Sequence, residues 1–184
     1  MKLSKVDLGP LVYSNLDEIY KWADDNPMCA FFLNAKGDLD LAPFSRLRMA
    51  FKEEVIKGGV VKMLVARSLP YNEVVAFFLV TFMDGIELDV FFKVITPPCL
   101  IYSEEFKESV LIFLKYVFLK KNRHKAMCQL LETEKDIVKI LVSVAFNVEG
   151  LKQEEIFCDG RFFDLIPLSI TKKIYMERCD KGVL

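Results

Sequence analysis

The sequence predicts one α/β domain over residues 1–184, a mixed central sheet with helices on both faces, in the order β-α-α-β-β-β-α-β-α-β-β. Two observations carry this. Stretches with apolar residues at helical spacing alternate along the chain with short β-branched and aromatic runs. No internal repeat, low-complexity tract or linker divides the sequence, and 184 residues suffice for one sizeable core.

Each element has its own signal. "KVDLGPLVY" (5–13) reads as a first strand interrupted by Gly9-Pro10. Ser14 is placed to cap a helix, with Asp17 three residues on and Leu16, Ile19, Tyr20 and Ala23 as its apolar stripe. After a Lys36-Gly37-Asp38 turn, Pro43 suits the first position of a second helix, with Phe44, Leu47, Phe51 and Val55 on one face and Gly58-Gly59 as its stop. The period then changes. "VVKMLVARS" (60–68), "VVAFFLVTF" (74–82) and "LDVFFKVIT" (88–96) read as three successive antiparallel strands, buried on both faces. Phe106, Val110, Phe113, Leu114, Val117 and Phe118 form one face of a third helix, with Lys120, Lys121 and Arg123 at its C-terminal end. "AMCQLLE" (126–132) is a strand, and Thr133, with Asp136, caps a helix carrying Ile137, Ile140, Leu141, Val144 and Ala145. "QEEIF" and "RFFDLIPLSI" close the chain as a hairpin about Asp159-Gly160, with Pro167 at an edge or irregularity.

Composition excludes several classes. Lys+Arg is 25 and Asp+Glu is 26, so no global charge draws the chain to nucleic acid or an anionic membrane. The basic "KKNRHK" lacks interleaved aromatics and reads as a solvated helix end. The five cysteines are widely spaced, without CxxC, and the lone His124 has no partner at metal spacing, which points to free thiols and no metal. The N-terminus lacks the apolar core of a signal peptide, and no apolar run reaches the ~18 residues of a membrane helix. These features predict a soluble, cytoplasmic protein. Apolar "CAFF" and "LDLAPF" fit packing under the second helix, a substrate groove or a homodimer face.

The element order resembles the GNAT superfamily of N-acetyltransferases, and the last ~90 residues are similar to the branch that acetylates protein N-termini. The resemblance rests on "LKYVFLKKNRHKAMCQLLETEKD" followed by "SVAFNVEGLKQEEIFCDGRFFDLIPLSI", with Phe146, Gly150, Gly160 and Asp164 at matching places. It implies acetyl-CoA as cofactor, with the pantetheine arm pairing with the backbone of Val94 and Ile95. It also implies a pyrophosphate on the N–H groups of the loop opening the third helix, here "IYSEEF". Tyr102 and Ser103 are able to donate to phosphate there. The loop departs from the family's [QR]-x-x-G-x-[GA]: Ile101 stands at the first place, Glu104 at the first glycine and Phe106 at the last small residue. A Cβ at a glycine position hinders close approach, and a carboxylate repels phosphate.

The implied reaction is attack of an amine, from a protein N-terminus or a small molecule, on the thioester. Glu87, Asp89 or Glu73 would accept the proton, with a solvated turn as the alternative reading for Glu87 and Asp89. Leu141 falls where many relatives carry a tyrosine that protonates the thiolate, and leucine has no such proton. Cys99 lies near the helix start, but no histidine is local and Glu104 and Glu105 oppose a thiolate. Three functions stay open on these residues: an N-acyltransferase with a non-standard cofactor loop, a degenerate member kept as an interaction module, and a binding domain for a less anionic ligand.

Overall fold

The computed structural model of the chain describes residues 5–24, 61–83, 88–158 and 160–181. The expected second helix, the turn before it and the candidate base Glu87 lie outside these residues. Among the described residues, β1 (Val6–Pro10), β2 (Val61–Ser68), β3 (Val74–Phe82), β4 (Asp89–Ile95), β5 (Lys125–Leu131), β6 (Asn147–Val148), β7 (Lys152–Cys158) and β8 (Arg161–Thr171) form one sheet. Its order is β1-β2-β3-β4-β5-β8-β6, with β7 also on β8. The helices are α1 (Leu16–Asp24), α2 (Glu104–Lys115), α3 (Lys135–Ser143) and α4 (Lys172–Asp180).

β2, β3 and β4 are antiparallel, as their turn signals predict. β4 and β5 are parallel, and parallel neighbours need a long crossover, which α2 supplies. Both faces of β3 are covered. Phe77 packs with Leu16 and Ile19 of α1, while Phe78 faces α2. The predicted apolar face of α2 is wholly buried. Phe113 stacks on Phe78 with ring centroids 4.5 Å apart and lies 4.8 Å from Phe92 of β4. A single aromatic cluster thus fixes β4 against the helix that follows it.

Local chemistry differs from expectation at several places. α1 starts at Leu16 after a 3-10 turn of Tyr13–Asn15, so Ser14 lies inside the turn. Asn15 Oδ1 accepts from the Arg67 guanidinium at 2.6 Å, tying that turn to β2. Thr133 likewise lies within a 3-10 turn, Glu132–Glu134, and the Leu131 N–H donates to Glu134 Oε2 at 2.8 Å. Gly9 and Pro10 are part of β1, whose described partner is β2; an edge strand tolerates proline. α2 runs on through a wider π turn, Tyr116–Lys120. Pro167 lies in a strand with neighbours on both sides, at the irregularity between the β6 and β7 pairings. Its carbonyl accepts from the Glu149 N–H there, so its missing N–H falls in that interruption. Gly160 turns the last hairpin with φ +78°, a conformation that favours glycine.

Candidate functional site

The sheet opens at one place. β4 and β5 pair through Asp89↔Lys125, Val90↔Ala126 and Phe91↔Met127. Beyond Phe91, no strand among the described residues pairs with that side of β4, although its other side stays paired to β3 as far as Ile95. β5 leaves β4 there and stays paired on its other edge with β8, from Lys125↔Thr171 to Leu131↔Leu165. The result is a cleft with one strand edge, Phe92 to Ile95, that no strand among the described residues covers.

The cleft has two connected parts that share Phe91, Cys128 and Gln129. The narrower, ≈ 160 Å³, is lined also by Leu79, Thr81 and Lys93. The wider, ≈ 410 Å³, reaches Met127, Glu149 and Pro167. Asp89, Phe91, Lys93 and Ile95 alternate onto one face of β4, while Phe92 and Val94 point into the α2 core. Lys93 lines the narrow part, and Glu134, in the turn after β5, interacts with it electrostatically. Burial lowers the Lys93 pKa despite the attraction of Glu134. Burial raises the Glu134 carboxyl to about 6, against the Leu131 N–H and the Lys93 charge. Burial and Glu134 push the Cys128 thiol well up, so it stays protonated. Farther along, Glu149 accepts from Lys125 Nζ at 2.7 Å and Ser169 Oγ at 2.6 Å, which holds its carboxyl below the ordinary range.

The loop leaving β4 is closed on itself. Thr96 Oγ1 donates to the Val75 carbonyl at 2.8 Å, and Pro97 is buried. Leu100 N–H donates to Pro97 O and Ser103 N–H to Leu100 O, both at 2.9 Å. Ser103 caps α2, its Oγ accepting the Phe106 N–H at 3.0 Å. Glu104 is exposed in the first turn, where the helix dipole favours it, and the Phe106 side chain is fully buried in the core. Tyr102 is exposed and hydrogen-bonds Asp136 at the start of α3, which raises the phenol pKa; Lys139 and Tyr102 lower that of Asp136. A ≈ 510 Å³ cleft outside the loop is lined by Glu18, Glu73 and Glu105 beside Trp22 and Tyr71. The surroundings of the loop are therefore acidic.

The sheet separates the candidate bases. Glu73 precedes β3 at the loop end, whereas Asp89 starts β4 at the paired end. Asp89 is buried, and its Oδ1 has no hydrogen-bond partner among the described residues. Val94, Ile95, Tyr102 and Ser103 follow one another along the open edge and its loop. Leu141 is fully buried and offers no proton. The Lys93–Glu134 pair escaped sequence reasoning because its members sit on separate elements with no motif joining them. "KKNRHK" serves the fold: Arg123 lies over the Phe82 ring, Lys125 pairs with Glu149 and Asn122 accepts from Lys172. No group of side chains among the described residues is placed to hold a metal. No helix among them is long and apolar enough to cross a membrane.

No family model and no curated protein sequence matches the chain. Solved structures do. A spermidine N-acetyltransferase from Vibrio cholerae, in complex with CoA and spermine, is 19% identical with a TM-score of 0.78, over 95% of this chain and 99% of that one. A spermidine/spermine N-acetyltransferase from Vibrio cholerae, in complex with manganese ions, is 20% identical with a TM-score of 0.72, over 95% of this chain and 97% of that one. The chain has the GNAT fold. Its mixed sheet, with the parallel β4–β5 pair splaying apart, is the arrangement typical of that fold. On this GNAT scaffold the open strand edge is retained, while the loop ahead of α2 spends Ser103 on its own helix.

Proposed function

We propose that the chain is an N-acyltransferase that takes an acyl thioester on a pantetheine-like arm and transfers the acyl group to a small amine or a protein N-terminus. The observation that carries this reading is the open edge of β4 from Phe92 to Ile95. An extended amide-bearing arm adds to such an edge as a further strand would, and the backbone of Val94 and Ile95 supplies the hydrogen bonds. A bound thioester supplies an electrophilic carbonyl next to a good leaving group. Asp89 is the candidate base, because its Oδ1, without a hydrogen-bond partner among the described residues, offers a lone pair for an incoming ammonium proton, and Glu87 is the second candidate.

The arm fits and the diphosphate of CoA does not. Glu104 carries a charged side chain at a glycine place of the loop, and the Phe106 N–H is already bonded to Ser103 Oγ. Tyr102 and Ser103 are the loop's polar residues without negative charge, and both already have partners, Asp136 and the Phe106 N–H. The donor is thus held chiefly through its arm, so pantetheine-borne thioesters serve nearly as well as acetyl-CoA.

The self-capped acidic loop favours a second reading, a GNAT fold kept as an interaction module. Calorimetric titration with acetyl-CoA, desulfo-CoA and free pantetheine decides between them. Binding of pantetheine within about tenfold of acetyl-CoA, followed by turnover with an amine acceptor, is the expected result. Absence of binding by all three at millimolar concentration removes the enzyme reading and leaves the module.

A further inference from the structure

We propose that Lys93 is itself acylated by the thioester that enters the β4–β5 cleft, making it a covalent modification site within the fold. This rests on the reading of the cleft as a thioester site.

Three features of the cleft carry the inference. The first is position. Lys93 stands two residues past the last β4–β5 pair, on the open edge, and lines the narrow part of the cleft beside Phe91 and Gln129. An arm laid along Phe92 to Ile95 brings its thioester past this side chain. The second is protonation. Lys93 is half-buried and burial depresses its pKa, so its reactive neutral form is enriched. The exposed Lys139 is held the opposite way by its 2.8 Å ion pair with Asp136. Lys125, on the neighbouring strand, is tied to Glu149 at 2.7 Å. The third is that the thiol sharing this cavity does not compete. Cys128 lines the cavity, but burial and Glu134 keep it as the thiol, and the thiolate is the reactive form.

The step balances without another reactant. Neutral Lys93 Nζ attacks the thioester carbonyl carbon, a C–N bond forms and the C–S bond breaks. The sulfur leaves with the bonding pair. The nitrogen loses one proton and the departing sulfur gains one, giving an amide and a free thiol. Glu134, within electrostatic reach of Lys93, can carry that proton between them. The product removes the cation that holds the Glu134 pKa down, so acylation drives Glu134 further towards its neutral form. The narrow part of the cleft then loses the positive charge of Lys93.

The test uses the whole chain and two donors. S-acetyl-N-acetylcysteamine carries the thiol end of the pantetheine arm and no phosphate; acetyl-CoA carries both. After incubation with each, peptide mapping by mass spectrometry follows the acetyl group on every lysine. The expected result is acetylation of Lys93 several-fold faster than of Lys139 with the small thioester, since Lys93 lines the cleft and its neutral form is favoured by burial. Acetylation of Lys93 no faster than of Lys139 with both donors overturns the proposal. Turnover of an amine acceptor with Lys93 unlabelled also overturns it and leaves the enzyme reading standing. Labelling by the small thioester alone, with no calorimetric binding of CoA, upholds the lysine site and ends the CoA reading. Lys93→Arg is the control for the labelled peptide; if it fails to fold, the wild-type map decides alone.

Discussion

Ser103 Oγ accepts the backbone N–H of Phe106 at 3.0 Å, and the Phe106 side chain below it is fully buried between α2 and the sheet. The two residues fix the start of α2 from opposite sides, one by a cap and one by packing. An N–H at a helix start is an anion donor only while it has no other acceptor. Here the chain provides that acceptor itself.

Replacing Ser103 by Ala therefore has two effects of opposite kind. Loss of the cap costs about 1 kcal/mol of stability, read as a lower urea midpoint at unchanged slope. The same change frees the Phe106 N–H, so affinity for acetyl-CoA relative to pantetheine rises in calorimetry. A stability loss with no change in that ratio would show that this N–H does not face the ligand.

Glu104 stands in the first turn of α2 and is exposed. Glu104→Gly removes both a negative charge and a Cβ from the loop. Acetyl-CoA binding is expected to tighten several-fold, on the order of 1 kcal/mol, and to become less dependent on salt. Pantetheine binding, which involves no phosphate, stays where it was. Equal effects on both ligands would sink the assignment of this loop to the phosphate end.

Asp89 is buried at the start of β4 with Oδ1 unpartnered among the described residues. An isosteric Asp89→Asn keeps the shape and removes the proton acceptor. As the candidate base, it should lower kcat for amine acylation by about 10²-fold or more while leaving pantetheine affinity within twofold. A variant with wild-type kcat would move the role to Glu87 or to solvent.

What was legible in the sequence followed from local pattern. β2, β3 and β4 lie within one residue of the β-branched and aromatic runs, and all six predicted apolar positions of α2 are buried. What was not legible lacked such a pattern. α4, "KKIYMERCD", buries Tyr175 alone among its described side chains, so it shows no apolar stripe; its sign was Thr171, whose Oγ1 accepts the Ile174 N–H. β6 is two residues long and exists because β8 offers it an edge. Ser14 and Thr133 look like caps, yet each lies within a 3-10 turn instead. The open edge of β4 also had no sequence sign of its own, because where β4 and β5 part is a relation between two strands separated by α2.

Glu134 gives the sharpest pH prediction. Its folded pKa of about 6 lies above the 4.5 of an ordinary glutamate. A carboxyl with a raised folded pKa binds more protons folded than unfolded between those two values. Stability therefore falls as pH rises from 4.5 through 6, and the full penalty, about 2 kcal/mol, is present above that window. Glutamine at 134 can still accept the Leu131 N–H and carries no charge to desolvate. Glu134→Gln should thus be the more stable protein at pH 7.5 by urea denaturation. The difference should shrink towards zero as the pH is lowered to about 4.5. Glu149 and Asp136 work in the opposite sense, since their lowered folded pKa values give stability that is lost in acid. They are common to both proteins and cancel in the comparison. A stability difference that does not change with pH would mean that Glu134 is not held in a buried position within reach of Lys93.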